Sequence, residues 1–253
     1  MMNKELGKIA DMLLETGALL MESGANTGRV RVTINRIAHS LGYHVELLIT
    51  QRALLLSVID DEGKFYTSKL KRTQPHGVNF TMLSGISRMS WRVQNEDWNI
   101  DQIHSDLDRL RSLPHYPRWQ VLLLVGLAGA SFCRLFGGGW LDMLVAFIAT
   151  FVGLYIRQEA LKKKFNPYIC VLAASLTASL ISGLAILFNI GNFPEYAFAT
   201  SVLFLVPGVP LINSFTDLID GNISNGIVRG TNGMIIAFCI ALGLLIARMV
   251  YNF

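Results

Sequence analysis

Charge is what this chain has least of. Only 16% of its 253 residues are Asp, Glu, Lys or Arg, while 52% are hydrophobic. Soluble domains carry roughly 25% charged residues, so an ordinary soluble protein is excluded. Cysteine is scarce as well. Cys133, Cys170 and Cys239 all fall inside apolar runs, with neither a disulfide framework nor metal-ligand spacing, and they read as small packing residues. Histidines 39, 44, 76, 104 and 115 all lie in the first half, without ligand spacing, and no nucleophile elbow accompanies them. A Ser/His/Asp hydrolase or a metalloenzyme is therefore not indicated, and no cofactor is expected. The glycine-containing stretch Ser23-Gly24-Ala25-Asn26-Thr27-Gly28 lacks the Lys-Ser/Thr of a phosphate-binding loop, which removes the motif for ATP. The start, Met1-Met2-Asn3-Lys4-Glu5, leads into a mixed pattern unlike the continuous apolar core of a secretory signal. The net charge of +4 calls for no nucleic acid, because Lys and Arg flanking membrane segments account for it.

The few charges are unevenly placed. Met1–Arg118 holds 15 of the 22 Lys/Arg and 13 of the 18 Asp/Glu. This divides the chain into a polar domain over residues 1–113 and an apolar one over 114–253. In the polar part, helical spacing runs from Lys4 to about Met21, and Asn26 or Thr27 caps a second helix that stops at Gly42. Val45–Thr50, Ala53–Ile59 and Lys64–Ser68 are strand-like, with a hairpin turn predicted at Asp60-Asp61-Glu62-Gly63. Val78–Val93 and Ile100–Leu110 return to helical spacing. The predicted fold is thus an α/β N-terminal domain followed by a polytopic α-helical membrane domain.

Two prolines in Pro114-His115-Tyr116-Pro117-Arg118-Trp119 mark the boundary, and Arg118-Trp119 reads as an interface anchor. About five transmembrane segments follow, near 119–136, 140–156, 168–190, 196–219 and 231–251. In the third, Ala174, Ala178 and Ser182 recur every four residues beside Ser175, Ser179 and Gly183, a face for close helix packing. With an internal N terminus, one side of the membrane receives Arg109, Arg111, Arg118, Arg157, Lys162–Lys164 and Arg229. The other side receives only Arg134 and Arg248. The Lys/Arg bias therefore places the N-terminal domain in the cytoplasm and the C terminus outside.

The fourth segment contains Leu205-Val206-Pro207-Gly208-Val209-Pro210-Leu211-Ile212-Asn213. Pro207 and Pro210 lack N–H groups and clash with the preceding turn, so a discontinuous helix is predicted. Free backbone groups at such a depth persist when they are buried in protein or line a wet cavity, and transporters aim them at substrate. Pro207, Gly208, Pro210 and Asn213 are the candidate substrate-binding positions here, joined by Arg134 and Arg157 for charge complementarity to an anion. Asp142 and Asp217 are the candidate proton-coupling carboxylates. Each charged residue has an interfacial alternative in which its head group reaches water. Arg134 and Asp142 flank Gly137-Gly138-Gly139 and are expected to pair.

Several stretches resemble the threonine/serine exporter family of bacterial inner-membrane proteins. They are Glu22-Ser23-Gly24-Ala25, Tyr116-Pro117-Arg118-Trp119, Phe132-Cys133-Arg134-Leu135 with Gly138-Gly139-Trp140, and Tyr155-Ile156-Arg157-Gln158. The proline-containing block 205–213 belongs with them, as do Asp217, Gly221, Gly226 and Arg229. Long family members fuse a second membrane half that this chain lacks, so it resembles the larger component of the split, two-protein form. The resemblance implies export of small carboxylates or amino acids, succinate or threonine/serine in class, and a small membrane partner subunit in an oligomer. A membrane-anchored sensor without transport is the alternative. An intramembrane enzyme lacks a recognisable nucleophile or metal set.

Overall fold

A computed structural model describes residues 2–60, 66–74, 77–114 and 116–252. Helix α1 (Met2–Glu22) buries Leu6, Ile9, Leu13, Leu20 and Met21 along one face. It ends at Gly24, whose φ of +92° closes the last turn, with Gly24 N–H on Met21 O and Ala25 N–H on Leu20 O. Asn26 then caps α2 (Thr27–Ser40) by accepting the Arg29 N–H at 2.8 Å, as the sequence predicts. Strands β1 (Tyr43–Thr50), β2 (Ala53–Asp60) and β3 (Tyr66–Arg72) form an antiparallel sheet in the order β1-β2-β3. Its inner face buries Ile49, Leu54, Leu56 and Val58. The predicted turn at Asp60–Gly63 lies largely outside the described residues. The third strand runs on to Arg72 instead of stopping at Ser68. Lys69 and Lys71 look polar in sequence, but Lys69 spans from the sheet to α1, bonding Asp11 and the Gly7 carbonyl. Helices α3 (Phe80–Asn95) and α4 (Ile100–Ser112) complete this layer, capped by Asn79 and by an Asn99/Gln102 capping box.

The apolar part is helical: α5 (Arg118–Leu135), α6 (Trp140–Lys162), α7 (Pro167–Leu187), α8 (Pro194–Thr200), a 3₁₀ turn (Leu203–Leu205), α9 (Gly208–Ile219) and α10 (Ile223–Tyr251). Among the described residues α6, α7 and α10 are long and apolar enough to cross a membrane, and a fourth span results if α8 to α9 counts as one bent segment. Helix α5 has 18 residues with Arg118 and Arg134 at its ends and does not count among them.

The fourth apolar segment is discontinuous, as predicted, but the two prolines differ. Val206 and Pro207 are outside any helix, whereas Pro210 is the third residue of α9. A first-turn N–H has no intrahelical partner, so a proline there costs little. Of the two prolines, Pro207 is the one that falls within the break.

Two compact units result, and neither is sequential. One comprises Met1–Pro114 with Val209–Thr231; the other comprises His115–Gly208 with Asn232–Phe253. In the second unit the small-residue face of α7 is buried. Ala174 and Ala178 meet Gly153 of α6, and Ser175 donates to the Ile240 carbonyl of α10 at 2.8 Å, next to Gly243. A side chain on either glycine would collide with α7, which is why these helices approach so closely.

Candidate functional site

In the first unit the polar residues of α9 and α10 converge on the turn between α1 and α2. Asn213 donates to the Gly24 carbonyl at 2.8 Å. One turn later, Asp217 Oδ1 accepts the backbone N–H of Thr27 at 2.9 Å and its Oδ2 accepts the Thr27 hydroxyl at 3.1 Å. Thr27 is the first residue of α2, so Asp217 places a carboxylate at a helix N-terminus, where free N–H groups and the helix dipole favour an anion. From α10, Arg229 lies 3.3 Å from Asp217 Oδ2 and donates to the Ala25 carbonyl at 2.9 Å. Asn225, one turn earlier, donates to Thr27 Oγ1 and to the Ile49 carbonyl at the end of β1. Asp217 is fully buried and Arg229 is 5% exposed. Thr27 and Ala25 take up part of what the two buried ions need, while Arg229 Nε faces Asp217 at 3.3 Å without a hydrogen bond.

Asn213 and Asp217 thus share one face of α9, as their spacing predicts, and that face is committed to the α1–α2 turn. Ser214 donates to the Gly226 carbonyl, and Gly226 and Gly230 leave room for α9 to lie against α10. Arg31 adds an outer contact to Asn222 at 3.3 Å.

The other predicted residues lie in the second unit, apart from Pro210. Asp142 is fully buried and caps its own helix: Oδ2 accepts the N–H groups of Gly139 at 2.8 Å and Phe193 at 3.1 Å. Its Oδ1 has no hydrogen bond. Arg134 donates to the Gly138 carbonyl at 3.1 Å, with its guanidinium 5.9 Å from the Trp140 ring centre. The expected Arg134–Asp142 pair is therefore not formed: the glycine turn gives each a backbone partner instead. Arg118 is engaged in another way, bonding Gln158 and Glu159 and lying over Tyr155. Arg157 differs in one respect. It is half-buried in α6, and while Arg118 Nη2 and Arg229 Nε are likewise enclosed without a hydrogen bond, no hydrogen bond or ion pair reaches any part of Arg157 among the described residues. Pro207 and Gly208 sit at the start of α9, where a side chain on Gly208 would meet open space. No group of His, Cys, Asp and Glu suited to a metal ion occurs among the described residues.

Sequence reasoning singled out Asp217 and read Arg229 as interfacial. It missed Thr27 and Asn225 as their partners.

Comparison with known proteins adds the following. A family model described as "ThrE: Putative threonine/serine exporter" matches residues 11–251. The chain is 29% identical over 254 residues to a "Probable succinate transporter subunit YjjP" of Escherichia coli (strain K12), covering 100% of this chain and 98% of that one. It is 30% identical over 246 residues to the YjjP of Klebsiella aerogenes, covering 96% and 94% respectively. A "Probable threonine/serine exporter" of Mycobacterium tuberculosis is 24% identical over 247 residues, which cover 95% of this chain and 46% of that one. No solved structure matches.

Proposed function

This chain belongs to the threonine/serine exporter family, a family of membrane transporters, and from that premise we propose that it is one subunit of a secondary exporter of small carboxylates or amino acids. The full-length similarity to proteins named as succinate transporter subunits supports a small dicarboxylate as substrate and a separate small membrane subunit as partner. The charge bias of the loops supports a cytoplasmic N-terminal domain in the bacterial inner membrane.

The observation that carries the proposal at the level of a site is the unneutralised Arg157. A cation in a membrane helix is costly wherever lipid surrounds it, and persists where it faces a partner, water or cargo. Arg118, Arg134 and Arg229 have their partners within the chain, whereas Arg157 does not. In this reading its guanidinium takes the substrate carboxylate, for which its planar fork is suited. At the start of α9, Pro207 and Pro210 carry no N–H and that of Gly208 is held by the Val206 carbonyl, so an anion there meets only N–H groups of neighbouring residues such as Val209. Asp142, with one uncommitted oxygen, and Asp217 are the carboxylates available to carry a proton. Asn213 then acts by holding α9 in place and not by touching substrate.

Efflux of labelled succinate and threonine from vesicles, with and without the partner subunit, is the test, normalised to inserted protein. Arg157→Gln is expected to abolish normalised efflux and Arg157→Lys to retain part of it. Unchanged efflux in Arg157→Gln removes the site. No efflux of either compound from the wild-type pair favours the sensor reading, which the docking of α9 onto the N-terminal domain also accommodates.

A further inference from the structure

Helices α2 and α3 differ in charge from the rest of the N-terminal domain. The 14 residues of α2 and the 16 of α3 carry five arginines, at 29, 31, 36, 88 and 92, and neither Asp nor Glu. Acidic residues occur on α1 and on α4, so this is a local asymmetry. Among the outward side chains, Val32 is 56% exposed, Trp91 49% and Phe80 67%, beside the polar Asn35, His39, Ser84 and Gln94. Arg36 lies 3.7 Å above the Trp91 ring and donates to the buried Ser90 hydroxyl, so this cation is fixed in place beside the ring. Val32 and Arg36 from α2, with Trp91 from α3, line one shallow groove and so form a single surface.

That surface reaches the α1–α2 turn at its other end. The chain leading into α3 is pinned there, with Gly77 N–H on the Glu22 carbonyl and Asn79 N–H on the Ser23 carbonyl. The next carbonyl, that of Gly24, is held by Asn213 of α9. The outward side chains of α9 are in turn apolar: Ile212, Phe215 and Ile219 are 66, 67 and 84% exposed. Phe80 and the apolar side of α9 are therefore attached to one turn, within one compact unit.

We propose that the α2–α3 face rests on the anionic surface of the bilayer that holds the chain. Its arginines meet phospholipid phosphates, and Phe80 and Trp91 enter the headgroup boundary. Aromatic and aliphatic side chains set among cations, on helices that carry no Asp or Glu, make the composition of an interfacial membrane-binding surface, with Asp220 the acid nearest the first turn of α2. Continuity with α9 supplies the proximity that lone electrostatic attraction lacks. The proposal depends on the chain being a membrane protein and not on what it transports.

The test uses the full chain with Trp98, Trp119 and Trp140 changed to Phe, so that Trp91 alone reports. It is placed in proteoliposomes of phosphatidylcholine with or without phosphatidylglycerol, using lipids brominated near the headgroup. Trp91 is expected to be quenched by brominated lipid and shielded from aqueous acrylamide when the anionic lipid is present. Each arginine near an anionic surface is worth about fivefold in partitioning. Arg29→Glu with Arg88→Glu, two exposed positions, should therefore reverse the pattern, and 0.5 M salt should weaken it in the unsubstituted single-Trp protein. Full acrylamide access in anionic liposomes overturns the proposal. So does lipid quenching indifferent to phosphatidylglycerol, salt and the double substitution. Shielding that follows protein density instead of lipid composition also overturns it, and assigns the face to a second copy.

Discussion

At the scale of single residues, the Asp217–Arg229 pair is held at the cost of desolvating both ions, and removing one leaves the other uncompensated. Breaking a buried pair from one side costs about 3–5 kcal/mol. Arg229→Met is therefore expected to lower thermal stability and inserted yield sharply, while Arg229→Met with Asp217→Asn recovers part of the loss. A double substitution as harmful as the sum of the singles shows that the two do not interact. Asp142 offers a second case. A Cβ on Gly191 would lie 1.9 Å from Asp142 Oδ1, and Gly191 has a φ of +102°, which L side chains rarely adopt. Gly191→Ala should cost about 1–3 kcal/mol by overpacking alone. Melting of the purified protein should show that Asp142→Ala, though it removes two caps, makes Gly191→Ala less harmful than it is by itself.

At the scale of elements, what could be read in advance depended on sequence separation. The cap at Asn26, the stop at Gly42 and the buried face of α7 are local, set by neighbours within a turn or two. The partners of Asp217 were not legible, because Thr27 lies 190 positions away and nothing in periodicity links the two. Arg134 and Asp142 misled for the opposite reason: they are near in sequence, but backbone groups still nearer satisfied both. The break in the fourth segment was legible as a break, though not which proline falls within it. Pro207→Ala with Gly208→Ala should favour a continuous helix, given that proline costs about 3 kcal/mol in a helix interior. Normalised efflux is expected to collapse in that variant while insertion persists. Pro210→Ala, in the first turn, should leave efflux and stability close to wild type. If Pro210→Ala proves the more damaging of the two, the first turn of α9 serves in some other way.

At the scale of the whole molecule, the compact units cross the compositional divide. The charge census separates residues 1–113 from 114–253, yet residues 209–231 pack with the N-terminal unit. Apolar content says which segments enter lipid and is silent on which polar groups they return to. In the topology proposed from the Lys/Arg flanks, reporter fusions after Leu113 and at the C terminus should report opposite sides. Reports from the same side require an even number of crossings after Leu113, and then either α5 or the bent α8–α9 segment does not cross.

The contact between Thr27 and Asp217 also imposes an order in time. A ribosome releases the α1–α2 turn early, whereas Asp217 and Arg229 leave it some 190 residues later, after α5 to α8 have been made. Throughout that interval the Thr27 N–H, the carbonyls of Gly24 and Ala25 and that of Ile49 lack the side chains that bind them in the finished protein. The N-terminal domain is therefore completed last, although it is synthesised first. Until α9 and α10 arrive, its α1–α2 turn is open to water and to whatever chaperone or insertion factor attends the nascent chain.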